Sequence, residues 1–286
     1  MRDTNLLERP SAELLVASLF CLAAAPSPQP SRSNAMASTP ASWPIVELRR
    51  YTLHPGRRDE LIDLFEREFI EPQEALGMQV LLHAREPAAP DRFVWLRGFH
   101  DLASRAPALQ AFYGGAVWQA HRDAANATMI DSDDVHLLRE ATPGSGFATS
   151  PHRPTSDATP TDAVFVVSIH AFAAPVDDAF LAFFADEVAP AARACGARIF
   201  ATYVTEAGPN DFPRLPVREG EHVFVWIAAY ADEHAHAQAR AAFERSPRWR
   251  ELTVELSRRT IAPTERHRLA PAARSLVPAL STGDGR

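Results

Sequence analysis

Arg97, His121, Arg122 and Asn126 are the side chains whose types and spacing could do chemistry in this sequence. A guanidinium grips a carboxylate or oxyanion with paired N–H donors. A histidine titrates near neutral pH and can carry a proton in either direction. All four lie between Phe93 and Arg139, in FVWLRGFHDLASRAPALQAFYGGAVWQAHRDAANATMIDSDDVHLLR. The aromatic frame of this stretch returns later: Phe93, Trp95, Phe99, Phe112 and Trp118 recur as Phe224, Trp226, Tyr230, Phe243 and Trp249, each 131 residues on. A shared frame of this kind predicts a duplication. The polar residues do not recur, because Ala228, Leu252, Thr253 and Ser257 stand at the equivalent positions. Packing therefore does not require them, which predicts a role peculiar to the first copy.

Two readings of that role stay open. In one, Arg97 or Arg122 binds an anionic or carbonyl-bearing small molecule and His121 carries the proton, with Tyr51, Tyr113, Trp118, Asn126 and Asp131 completing the binding set. In the other, Arg122 pairs with Asp131 or Asp133 as a structural clamp and Asn126 caps its helix. His83, His100 and His170 are isolated, and no HExxH or Cys/His set is present, so no metal or other cofactor is expected. There is no GxGxxG, P-loop or GxSxG either.

The elements that must position these residues follow from periodicity. IVELRRYTL (45–53) reads as a strand with Ile45, Glu47, Arg49, Tyr51 and Leu53 on one face, ended by the His54-Pro55-Gly56 turn. Apolar spacing predicts a helix from Arg58 to Leu76, bent or divided at Pro72 and stopped by Gly77. MQVLLHAR (78–85) and RFVWLRGF (92–99) are strands. The second is apolar on both faces apart from Arg97, so helices should cover one face and a second sheet the other. Tyr51 and Arg97 are placed on the inter-sheet face. Asp101 N-caps a helix that Pro107 is expected to break; Ala116–Ala127 is a further helix and Val135–Arg139 a fourth strand. The second copy reads as strands 163–172, 197–205 and HVFVWIAAY, two helices, and a last strand in LTVELSRRTIA.

These readings divide the chain into an N-terminal tail (1–44), a first domain (45–140), a Pro/Ser/Thr/Gly-rich linker (141–162), a second domain (163–263) and a loose C-terminal tail (264–286). The order predicts an α+β fold of two tandem ferredoxin-like β-α-β-β-α-β units, packed sheet to sheet within one chain, with homodimerisation left open. Leu14–Ala25 is apolar but too short to span a bilayer, and Met36 is an alternative start to Met1. The formal charge of -7 and the interleaving of acids with arginines argue against nucleic-acid or membrane partners. Lysine is absent, a bias typical of a GC-rich bacterial genome, and the two cysteines are far apart, which fits the cytoplasm.

YTLHPG, the Phe-rich helix ending at Gly77-Met78, FVWLRGF, FYGGAVWQAHRDAANATM and MIDSDDVHLLR together resemble a NIPSNAP-family domain over residues 45–140. The resemblance implies the dimeric α/β-barrel superfamily, in which ferredoxin-like units pair. It implies no settled activity. Relatives in that superfamily suggest that any chemistry would be of a cofactor-independent monooxygenase or isomerase type, an analogy of fold. The alternative is a non-catalytic protein–protein interaction module.

Overall fold

In the computed structural model, residues 43–150, 152–278 and 280 are described. The expected N-terminal tail lies outside them except for its last two residues, and there it is corrected: Trp43 is buried and belongs to the core. Gly98 makes room for it, since a Cβ at that position would stand 2.7 Å from Trp43 Cβ.

The first half runs β1 (Ile45–Leu53), α1 (Arg58–Leu64), a π turn (Phe65–Phe69), α2 (Ile70–Glu74), β2 (Gln79–Arg85), β3 (Arg92–Phe99), α3 (Leu102–Gly114), α4 (Ala116–Asn126), β4 (Met129–Asp131) and β5 (Val135–Glu140). The second runs β6 (Val164–Phe172), α5 (Asp178–Phe183), a π turn (Phe184–Val188), α6 (Ala189–Ala194), β7 (Arg198–Thr205), β8 (His222–Tyr230), α7 (Glu233–Arg245), α8 (Pro247–Arg259) and β9 (Glu265–Pro271). Pro72 and Pro190 each sit just after a π turn, whose wider loop accommodates the missing N–H without ending the helix. Pro107 likewise sits inside an unbroken α3, against expectation; the Asp101–Ser104 capping box starts that helix.

The strands pair in the order β3-β2-β9-β6-β8-β7-β5-β1, and β1 also pairs with β3, so eight antiparallel strands close into a barrel with β4 appended to β1. The halves join along two short seams, Ala84↔Pro271 with Arg85↔Ala270, and Leu138–Glu140 against Tyr203–Thr205. Branched and small residues fill the barrel, among them Val46, Leu48, Val94, Leu96, Val167, Val225 and Ile227.

Three expectations need correcting. The aromatics Phe93, Trp95 and Phe99, with Tyr51, face outward under the first half's helices rather than into a space between sheets. Arg97 shares that face. Phe224, Trp226 and Tyr230 do the same in the second half. Both faces of β3 are apolar, so a period of two could not tell inside from outside. Second, Leu252–Ala262 is not a strand: Ser246 caps α8 with Pro247 in its first turn, and Leu252 and Leu256 form the buried helical stripe. Third, the last strand is β9, inside the segment read as a loose tail. Its polar sequence hides it, because Glu265 and His267 meet buried Arg50 at 2.5 and 2.8 Å at one end of the barrel.

Candidate functional site

Alternation along β1 sends Glu47, Arg49 and Tyr51 to the outer face, and β3 sends Trp95 and Arg97 beside them. Helix α3 adds Arg105 and Tyr113, and α2 adds Gln73. Glu47, Arg49, Arg97 and Arg105 are all at most 1% exposed. Glu47 is their hub. Arg49 Nη1 donates to its Oε2 at 2.8 Å and Arg97 Nη2 at 2.5 Å, while Arg105 Nε donates to Oε1 at 2.8 Å. Arg105 Nη2 also lies 2.6 Å from Oε1, off the line of a hydrogen bond. Burial alone would raise the Glu47 pKa; Arg97, Arg49 and Arg105 override it and hold the carboxyl far below the usual range. Arg105 Nη1 also reaches Asp211, so three cations face two carboxylates and the array carries one net positive charge.

Above this array lies a small cavity of about 40 Å³, lined by Tyr51, Leu61, Phe65, Phe69, Gln73, Trp95, Phe112, Tyr113, Trp118, Ala125 and Met129. Its lining carries four polar side chains, Tyr51, Gln73, Trp95 and Tyr113. Tyr51 OH accepts from Arg49 Nε at 2.9 Å, and Tyr113 OH from Arg97 Nη1 at 3.4 Å, which leaves each phenol proton free to point elsewhere. Burial raises the Tyr51 pKa despite Arg49 beside it, so the phenol stays protonated. Gln73 Oε1 is occupied by Arg97 at 3.0 Å and its Nε2 by Phe69 O at 2.9 Å. Trp95 Nε1 is buried without a partner, although guanidinium carbons of Arg97 and Arg49 lie 5.0 and 5.6 Å from its ring. The Tyr51 and Tyr113 hydroxyls and the unpartnered Trp95 Nε1 thus give the residues lining this space three available donors.

The corresponding outer face of the second half lacks these charges. Strands β1 and β6 align at an offset of 119, which sets Val166, Ser168 and His170 against Glu47, Arg49 and Tyr51, and Ala192 against Gln73. There, Trp226 Nε1 donates to His170 Nε2 at 3.0 Å, so the indole equivalent to Trp95 is satisfied. Burial and Arg266 push the His170 pKa down to about 4, keeping that ring neutral as an acceptor.

Two larger hollows, of about 310 and 420 Å³, lie elsewhere. The first borders the 206–221 loop, where Arg218 pairs with Glu221 at 2.9 Å, and the second has Arg193 as its one charged lining residue.

Of the residues singled out from sequence, Tyr51, Tyr113 and Trp118 line the cavity and Arg97 underlies it. His121 does not line it; it sits one-third exposed beside Phe69, with Nε2 3.4 Å from Glu68. Arg122, Asn126 and Asp131 are exposed. The clamp to Asp131 or Asp133 is not formed, since Arg122 meets Asp123 at 3.3 Å and Asp131 caps the Asp133 amide at 2.8 Å. Glu47, Arg49, Gln73 and Arg105 were missed. For the two on β1 the signal was present, because they alternate with Tyr51. Among the described residues no cluster suited to a metal ion occurs, and no helix is long and apolar enough to cross a membrane.

The chain superposes on a candidate monooxygenase of Fusobacterium nucleatum subsp. nucleatum with a TM-score of 0.53 at 9% identity, covering 84% of this chain and 97% of that one. An anthrone oxidase-like protein gives a TM-score of 0.50 at 12% identity, over 85% of this chain and 99% of that one. A NIPSNAP family protein of Agrobacterium tumefaciens is 21% identical, with a TM-score of 0.33, over 37% of this chain and 91% of its own. At these identities the likeness concerns the fold alone. No curated protein matches the chain. Residues 46–143 match the NIPSNAP family model, so this part of the chain is similar to a NIPSNAP domain.

Proposed function

We propose that the first half binds a small conjugated carbonyl or phenol and holds its oxygen as an anion in the cavity above Glu47, Arg49, Arg97 and Arg105. The observation that carries this reading is the unmatched set of donors, Tyr51 OH, Tyr113 OH and Trp95 Nε1, beside an array of net positive charge. A buried donor without an acceptor is costly, and an incoming oxygen relieves that cost. Aromatic walls suit a flat ligand. Enolates and phenolates are the species that cofactor-independent oxygenation and isomerisation start from, and the two superposed proteins, a candidate monooxygenase and an anthrone oxidase-like protein, support that reaction class. The halves are read as duplicated ferredoxin-like units, the second carrying neutral groups where the first has charges.

4-Nitrophenol, whose anion is coloured, tests the reading. Bound probe should ionise about one pH unit lower than free probe. Tyr51→Phe and Tyr113→Phe should each weaken binding about tenfold, as expected for a hydrogen bond to a charged group. Absence of a saturable colour change with the wild-type protein would refute it.

A further inference from the structure

The cavity is too small for the ligand it would serve. An aromatic ring needs roughly 150 Å³, against about 40 Å³ here, so part of the wall must move. Trp118 and Tyr113 form one side of it, their rings 4.9 Å apart and edge to face. Behind Tyr113 stands a residue from the other half: Phe212 stacks on it at 6.3 Å and 23°.

Phe212 belongs to the loop between β7 and β8, which leaves the second half and arches over the first. Both feet of the arch rest on β5, through Glu206 N to Leu137 O at 2.9 Å and Arg218 N to Val135 O at 2.8 Å. Between them the loop makes side-chain contacts. Asn210 Oδ1 accepts from Arg105 Nη1 at 3.1 Å, Asp211 pairs with the same guanidinium, and Leu215 and Val217 pack on the first half's aromatic cluster. Pro209, Pro213 and Pro216 restrict the backbone within the arch, and the Phe212 amide donates to Asn210 Oδ1 at 3.2 Å inside it. A segment stiffened in this way moves as a unit. The equivalent connection in the first half, Glu86–Asp91, is far shorter and reaches no such site.

We propose that Gly208–Val217 of the second half is the gate of the first half's cavity, with Phe212 as the positioning residue that holds Tyr113 in the closed wall and Asp211 as its latch on Arg105. This rests on the reading of the cavity as a ligand site, but the gate has a signature of its own. With the arch lifted, Tyr113 loses its backing ring, turns outward with Trp118 and opens the space above Gln73. The half that lacks the charged array thus controls entry to the half that has it.

Two measurements on the full chain test the gate. In the first, tyrosines are nitrated with tetranitromethane and mapped by mass spectrometry. Phe212→Ala and Asp211→Asn should each speed Tyr113 modification about fivefold or more, the gain expected when a local opening equilibrium is shifted. Tyr203, fully buried in the barrel, should stay unreactive and so report any global unfolding. Should Phe212→Ala expose Tyr203, Asp211→Asn decides alone. An unchanged Tyr113 rate with Tyr203 protected overturns the proposal. In the second, stopped-flow binding of 4-nitrophenol to the same two variants should show association about fivefold faster or more and a correspondingly lower Kd, because the open, binding-competent state is more populated. An unchanged association rate overturns it. If the wild-type protein binds no 4-nitrophenol, the ligand reading falls, and nitration still decides whether the arch is a gate.

Discussion

Glu47→Gln should be the most damaging single exchange of similar size in the first half. The side chain is fully buried and accepts from Arg49 at 2.8 Å, Arg97 at 2.5 Å and Arg105 at 2.8 Å. Glutamine keeps the shape and removes the charge, leaving three buried guanidinium groups against Asp211. Removing one partner of a buried ion pair costs about 3–5 kcal/mol. With a urea m-value of about 3 kcal/mol/M, the unfolding midpoint should fall by about 1–1.7 M. Circular dichroism during urea titration at neutral pH measures it. The difference from wild type should narrow in acid. The folded carboxyl has a depressed pKa, so its stabilising contribution is complete above the unfolded value of about 4.5 and fades as pH drops further toward the folded one. A second variant isolates the cause: Glu47→Val, Arg49→Ser, Gln73→Ala and Arg97→Ala together install the second half's residues. That combination should unfold at higher urea than Glu47→Gln alone, because it leaves fewer charges uncompensated. A midpoint loss below about 0.3 M for Glu47→Gln would show that the array is solvated and would refute the reasoning.

Stability should also fall between about pH 6.5 and pH 4. Burial, with Arg266, brings the His170 pKa to about 4, and burial with Arg50 and Arg218 brings that of His136 to about 3, so both contribute fully above the unfolded value of 6.5 and lose that contribution on acidification. His170→Leu should flatten this limb of a midpoint-against-pH plot. Gly98→Ala should cost about 1–3 kcal/mol by urea titration through overpacking against Trp43, and combining it with Trp43→Ala should relieve part of that cost relative to Trp43→Ala alone. His121→Ala and Arg122→Ala should change stability by less than about 1 kcal/mol, since their ion pairs are exposed, and should leave 4-nitrophenol affinity within about twofold of wild type. A fragment of residues 41–141 should self-associate in analytical ultracentrifugation, because Val94, Leu96 and Leu82 then lack the opposing barrel wall.

The strands of the first half were legible because their apolar runs are bounded by turn signals, as at His54-Pro55-Gly56 and Gly77. β9 was not, since a strand whose inward residues are Glu265 and His267 looks like a tail until Arg50 is placed opposite. α8 was misread because Val254 and Thr253 favour strands, whereas the Ser246-Pro247 start and the Leu252/Leu256 spacing decide for helix. At the site, Arg97 was found by comparing the two similar stretches and Tyr51 by alternation along its strand, but their face was misplaced, and with it the location of the cavity. Arg105 gave no signal at all. Its importance depends on Asn210 and Asp211, which are more than a hundred residues away in the chain.

The two seams of the barrel also set the order in which the molecule can be made. β2 leaves synthesis early, yet its outer neighbour is β9, and β5 waits for β7. A growing chain that has completed its first half therefore presents two unpaired strand edges and an uncovered apolar inner face. The fastest steps are local, such as β2 against β3; closure joins segments some 180 residues apart and comes last. Any shortening of the chain that removes β9 leaves β2 and β6 open to pairing with a second molecule, so exchange of strands between copies is the failure this topology invites.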